Sequence, residues 1–295
     1  DKLKIVLDKV LNVQTWHDFL KCIEAAGYVS KSLISAQNAL VYTYALYLIG
    51  KHEYCMKETD LRKLMAKWFF MSSVSGYYTS SPETVVEADL ADLRNVKTEA
   101  GFTDLLEHKI AAIFTNDYFD VTLPSDLATS ASRSPAWYGY CAALNILGAK
   151  VLFSTLTTRE LFSPAATGTK SALERHHLFP KAYLGKIGIS NDRDRNQNAN
   201  FTFIEWHDNI EILDTSPAAI RPSVSGMGIE NLLRSWSIVL SLLLKCSSRS
   251  SWLIAPTSCS RFTIVLYGTI NREASVKMFL TVISHEFIEY SFISL

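Results

Sequence analysis

Large apolar side chains at helical spacing run through the first 160 or so residues, and this periodicity most restricts the folds open to the chain. Residues 61–71 show it well, with Leu64, Met65, Trp68 and Phe69 three and four apart. Residues 35–49 place Leu40, Val41, Tyr44 and Leu48 on one side and Ala39, Tyr42, Ala45, Leu46 and Ile49 around the rest. A helix apolar nearly all round is a buried one, so this segment is expected at the centre. Trp16, Phe19, Leu20 and Ile23 repeat the spacing after Thr15, the expected N-cap, and Gly27 is the expected stop. Ser81-Pro82-Glu83 joins a cap residue, a proline suited to the first turn and an acid near the positive helix end. That helix is expected to reach about Arg94. Residues 103–114 and 135–147 complete the set.

Most conspicuous side chains here have plain explanations. Trp68, Phe69, Phe70 and Trp137 are expected to be core packing. Glu87 and Asp89 form an acidic pair expected on an exposed helix face. No repeat of fixed period is present.

The texture changes twice. Ser163-Pro164-Ala165-Ala166-Thr167-Gly168-Thr169 has linker composition and closes an expected helical domain, 1–162. A short polar, basic domain follows over 163–222. Between Ser223 and Ser260 there are eleven serines and one acid, Glu230. A solvated helical surface carries more charge, so the 223–295 tail has the composition of an aberrant or frameshifted reading of a helical C-terminus.

Bulk properties narrow the function classes. A chain of 295 residues has room for two domains, and 48% hydrophobic residues exclude a disordered chain. Lys plus Arg equals Asp plus Glu, 29 each, so any nucleic-acid footprint must be local. The five cysteines, Cys22, Cys55, Cys141, Cys246 and Cys259, form no CxxC pair. That argues against a zinc ribbon and fits a reducing cytoplasm. Residues 1–10 lack the apolar core of a signal peptide, and no apolar run approaches a membrane span. The absence of an initiator Met suggests a fragment of a longer parent.

The chemistry concentrates in Leu173-Glu174-Arg175-His176-His177-Leu178-Phe179-Pro180-Lys181. Two histidines before an apolar residue and a proline suggest a strand end entering a turn. Strand neighbours point to opposite sides, yet at a terminus both can reach one ion and one substrate. Phosphodiester hydrolysis needs a metal to stabilise charge and a base to take a proton from water. Imidazole suits both tasks. A base must be held in orientation, and asparagine does this without adding charge. Asn196-Gln197-Asn198-Ala199-Asn200 precedes an expected short strand, Phe201-Thr202-Phe203-Ile204, and a helix or turn is expected over 207–213. Asn209 lies nine residues beyond Asn200 and could offer an oxygen ligand, with His207 and Asp208 as neighbouring alternatives. Such a sparse mixed site suits Mg2+ or Mn2+ better than zinc.

Arg175-His176-His177-Leu178-Phe179-Pro180-Lys181, Asn196-Gln197-x-Ala199-Asn200-Phe201-Thr202 and Asn209-Ile210-Glu211-Ile212 together resemble the HNH nuclease C-terminus of GmrSD-type restriction proteins. Trp68-Phe69-Phe70-Met71, Tyr78-Thr79-Ser80-Ser81-Pro82-Glu83 and Glu87-x-Asp89-Leu90 resemble its helical region, so the likeness covers roughly residues 30–217. It implies a mainly α protein: a helical domain followed by a small ββα-metal nuclease domain. It implies His176 as first metal ligand, His177 as general base, Asn200 as the residue orienting that base, and Asn209 as second ligand. It also implies DNA as substrate, in defence against phage, and an N-terminal ParB-like domain in a longer parent. The chain departs from the family in two places. The Asp-Gly-Gln-Gln-Arg-type motif of the N-terminal domain is absent, and the C-terminal pattern ends at about Pro217.

Local charge supports a phosphate contact. Residues 170–195 hold six basic side chains, Arg175 and Lys181 among them, against Glu174, Asp192 and Asp194. Arg175 and Lys181 are the expected phosphate contacts. The alternative is a module that binds nucleic acid without cutting it, or an inactive remnant of such a nuclease.

Overall fold

The structure is a computed structural model that describes residues 2–152, 154–163, 173–177, 180–186 and 188–206. The protein is mainly helical, with eleven α-helices and one two-stranded sheet among the described residues. It divides into two compact units. The first comprises Asp1–Thr115 and Arg133–Ile146; the second takes Asn116–Ser132 and the chain from Leu147 onward.

The first unit holds α1 (Lys2–Val10), α2 (Val13–Ala25), α3 (Gln37–His52), α4 (Glu58–Val74), α5 (Pro82–Leu93), α6 (Glu99–Ile113) and α8 (Pro135–Ile146). Helix α4 is the buried centre. Leu61, Met65, Trp68, Phe69 and Met71 are fully enclosed, and α4 packs on α2, α3, α6 and α8. The central place expected for residues 35–49 therefore belongs to α4. Helix α3 buries Ala39, Thr43, Tyr44, Leu46 and Tyr47, while Val41 is 57% exposed. Single aliphatic side chains such as Val41 and Ala45 sit on wet surfaces without penalty enough to forbid it, so composition alone overstated the enclosure of α3.

Local signals mostly match. Pro82 opens α5 and Pro135 opens α8. The cap of α2 differs: Asn12 Oδ1 accepts from the Thr15 backbone N–H at 2.8 Å, so the helix starts two residues earlier than Thr15. Ser81 caps α5 from a left-handed backbone, φ +48°, with no side-chain hydrogen bond. Gly27 does end α2, at φ +84°, and a Cβ there would lie 2.2 Å from the Ala142 carbonyl oxygen. That close approach seats α8, and Asn145 Nδ2 donates to the Gly27 carbonyl at 2.8 Å.

The expected exposure of the Glu87 and Asp89 pair is overturned at Asp89. Asp89 is 3% exposed, although Glu87 is solvated as expected. Its carboxylate accepts from Tyr77 Oη at 3.0 Å and Tyr78 Oη at 2.9 Å, and pairs with Lys109 Nζ at 3.0 Å. Lys109 also reaches Asp92 at 2.7 Å. Burial of a charge is tolerable when donors surround it, and three do so here. Burial, then the adjacent Asp89 charge, pushes the Tyr77 hydroxyl up to about 12 and Tyr78 further, so both stay donors.

Among the described residues, the second unit holds less regular structure. It begins with a π-helical turn, Tyr118–Thr122, and α7 (Leu123–Leu127), which buries Leu123, Pro124 and Leu127. Helix α9 (Thr158–Phe162) starts with a capping box between Thr157 and Glu160. The sheet pairs β1 (Leu173–His177) with β2 (Phe201–Glu205), antiparallel, with His177 opposite Phe201 and His176 opposite Thr202. Leu152 bridges to Ile204, its N–H donating to the Phe203 carbonyl at 2.9 Å, and Phe162 meets Phe203 edge-on at 5.0 Å. Between the strands lie α10 (Lys181–Lys186), α11 (Asp192–Arg195) and a 3-10 turn, Asn198–Asn200. The expected helix or turn over 207–213 and the 223–295 tail lie outside the described residues.

Candidate functional site

The histidine pair occupies the last two positions of β1, as the following proline turn suggested. The pleat sends successive side chains to opposite faces. Arg175 and His177 share one face with Phe201; Glu174 and His176 share the other with Thr202 and Ile204. The two imidazoles therefore leave the strand in different directions from adjacent residues at its end.

His177 is the more constrained ring. It is half-buried, packs 4.3 Å from the Phe201 ring centroid, and places Nε2 3.1 Å from Asn196 Oδ1. Burial holds its imidazole below the ordinary 6.5; the Asn196 bond opposes that, and Lys181, His176 and Arg175 reinforce it. A ring so placed is neutral at neutral pH, the state a proton acceptor requires.

The expected phosphate contacts gather here too. The Arg175 guanidinium is exposed and lies 4.1 Å from the Phe201 centroid, a cation–π distance that fixes a long side chain. Lys181, the first residue of α10, is exposed and near enough to act on His177.

Asn200 is fully buried, and its Nδ2 donates to the Arg195 carbonyl at 3.0 Å. The side chain within hydrogen-bond reach of the His177 ring is Asn196. Asn196 is not among the residues the sequence singles out; the run of three asparagines at alternate positions is the signal that contains it.

Asn209, the expected second ligand, and its alternatives His207 and Asp208 lie outside the described residues. Among the described residues no three His, Cys, Asp or Glu side chains gather around one point. His176 has Glu174 two residues back on its own face, one nitrogen and one carboxylate donor. One imidazole and one carboxylate are too few donors for a closed structural zinc site, and a site for a hard cation here would need further oxygen ligands.

The chain matches no protein-family model, no curated protein and no solved structure. No helix among the described residues is long and apolar enough to cross a membrane.

Proposed function

We propose that this chain carries an HNH-type, metal-dependent endonuclease site that hydrolyses DNA phosphodiester bonds, as in restriction of foreign or modified DNA. One observation supports the reading most. A His-His pair ends a two-stranded antiparallel ribbon, with the second ring held by an asparagine beside Arg175 and Lys181.

His177 is the base: a neutral imidazole that takes a proton from the attacking water. His176 is the first ligand to Mg2+ or Mn2+, with Asn209 as its partner by resemblance. The ion, when bound, stabilises negative charge on the phosphate and on the departing oxygen. Arg175 and Lys181 hold the flanking phosphates, and their exposure leaves them open to a polyanion. Asn200 orients the base by resemblance, and its own Nδ2 donates to the Arg195 carbonyl at 3.0 Å.

Plasmid nicking in Mg2+ or Mn2+ tests this directly. The chain should nick supercoiled plasmid only with metal, and His177→Ala should lose ~100-fold or more in rate. Equal nicking by both proteins refutes the base. DNA retained in a gel-shift assay without metal-dependent cutting supports the non-cleaving module instead.

A further inference from the structure

Helix α1 turns its apolar side to solvent. Leu3, Val6, Leu7 and Val10 stand at i, i+3, i+4 and i+7, one stripe along one face. None of the helix is buried, and the stripe's exposure runs from 37% at Val10 to 71% at Leu3. A surface helix ordinarily packs such a stripe on the core, as α2 does with Phe19, Cys22 and Ile23. Helix α1 is held instead by an edge and by its end. Lys9, its one half-buried residue, lies near enough to His52 of α3 to act on it, and Tyr44 Oη donates to the Val10 carbonyl at 2.8 Å.

The charges bordering the stripe have one sign. At 3.6 residues per turn, Lys2 and Lys9 flank one edge and Lys4 the other, while Asp8 falls on the opposite side. A surface that fits must therefore bring apolar side chains bordered by negative charge. A second copy of the chain brings the wrong sign, because antiparallel pairing sets the edge of Lys2 and Lys9 against itself. Helices that lie on lipid anchor with bulky aromatic side chains, and this stripe has only leucine and valine. Four aliphatic side chains at this spacing are the seam that one helix offers another.

We propose that α1 is a docking surface for an acidic amphipathic helix of a protein partner. The partner's apolar row packs on Leu3, Val6, Leu7 and Val10, and its carboxylates meet Lys2, Lys4 and Lys9. Burial of the stripe holds the pair together, and the charged edges select the partner. The surface belongs to the helical unit and stands without the nuclease reading.

Fluorescence anisotropy of two labelled helical peptides with the whole chain tests this. Both carry leucine at the a and d positions of a heptad. One has glutamate at e and g and the other lysine, so like charges keep each from pairing with itself. The chain should bind the glutamate peptide ~10-fold or more tightly than the lysine peptide, and 1 M NaCl should narrow the gap. Leu3→Ser with Leu7→Ser should weaken the glutamate peptide ~10-fold or more. Both positions are exposed, so circular dichroism should match the parent's. Lys2→Glu with Lys4→Glu leaves every apolar residue in place and should reverse the preference between the peptides. Equal binding of the two peptides, or binding of neither, overturns the proposal. Sedimentation showing a dimer that the double serine variant abolishes assigns the stripe to a second copy and overturns it too. So does binding to phosphatidylserine vesicles, lost in that variant, by a chain that takes neither peptide.

Discussion

The two units solve the same problem, a buried polar cluster, with opposite chemistry. The helical unit encloses a charge: Asp89, with Tyr77, Tyr78 and Lys109 as donors. The second unit uses neutral amides, Asn196, Asn198 and Asn200, in contact with backbone carbonyls and one imidazole. A charged knot resists change because each member removed takes a partner from a buried carboxylate or from the groups that donate to it. An amide turn costs less to enclose and leaves the neighbouring histidine free to gain and lose a proton. The first suits a scaffold, and the second suits a site.

The largest expected effect breaks the charged side of that contrast. Asp89→Ala leaves Lys109 with Asp92 alone and strips two tyrosine hydroxyls of their acceptor. It should cost the helical unit about 3–5 kcal/mol in urea unfolding followed by tryptophan fluorescence. Asp89→Asn keeps an acceptor for the tyrosines and should lose less. A loss under about 1 kcal/mol for the alanine variant means the cluster is not the brace described.

This cluster also marks where the sequence stopped being readable. Helix positions follow local rules, so Pro82, Pro135 and Gly27 were legible as boundaries. Asn12 and Thr15 are both good caps, and only the backbone path decides between them. Asp89 was misjudged because its partners come from outside its own helix: the turn at Tyr77 and Tyr78, and Lys109 on α6. The candidate site divides the same way. The strand-ending histidines and the Phe201–Glu205 strand follow from local pattern, and the structure has both. Asn196 facing His177 across 19 positions depends on how the intervening turn closes. The register that puts Phe201 against both Arg175 and His177 is likewise a property of pairing, not of either segment.

A smaller effect is expected on the neutral side. Asn198→Ala removes one buried amide bond to the Ala131 carbonyl, while its backbone bond to Thr129 can remain. The cost should be about 1 kcal/mol, with faster hydrogen exchange at the Asn198 and Asn200 amides. Unchanged exchange at both would remove Asn198 as an anchor of the turn.

Acid tests both units together through one residue type. Burial, the leading cause in each case, holds His52 in the helical unit and His177 in the second below the ordinary 6.5. Below that value the unfolded chain takes up protons that the folded rings resist. Stability is thus full above about 6.5 and falls as the pH drops through the folded values. His52→Gln and His177→Gln should each flatten part of that fall, and the His177 variant should do so only for probes in the second unit. A pH profile identical to the parent's in both variants would assign the acid sensitivity elsewhere.

The smallest effect sharpens the contrast between charge that is enclosed and charge that is wet. Lys67 Nζ and Glu107 Oε1 are 2.7 Å apart, shorter than the Lys109–Asp89 pair at 3.0 Å. Distance alone would rank the first pair as stronger. Exposure reverses the order: the Lys67 and Glu107 side chains are 26% and 39% accessible, against 18% and 4% for Lys109 and Asp89. Water and salt screen the former, so Lys67→Ala should cost about 0.5 kcal/mol or less, and that cost should vanish in 1 M NaCl. The Asp89→Ala penalty should persist in the same salt, because ions do not reach an enclosed pair. If both penalties respond alike to salt, burial is not what separates the two pairs, and the scaffold role given to the Asp89 cluster loses its basis.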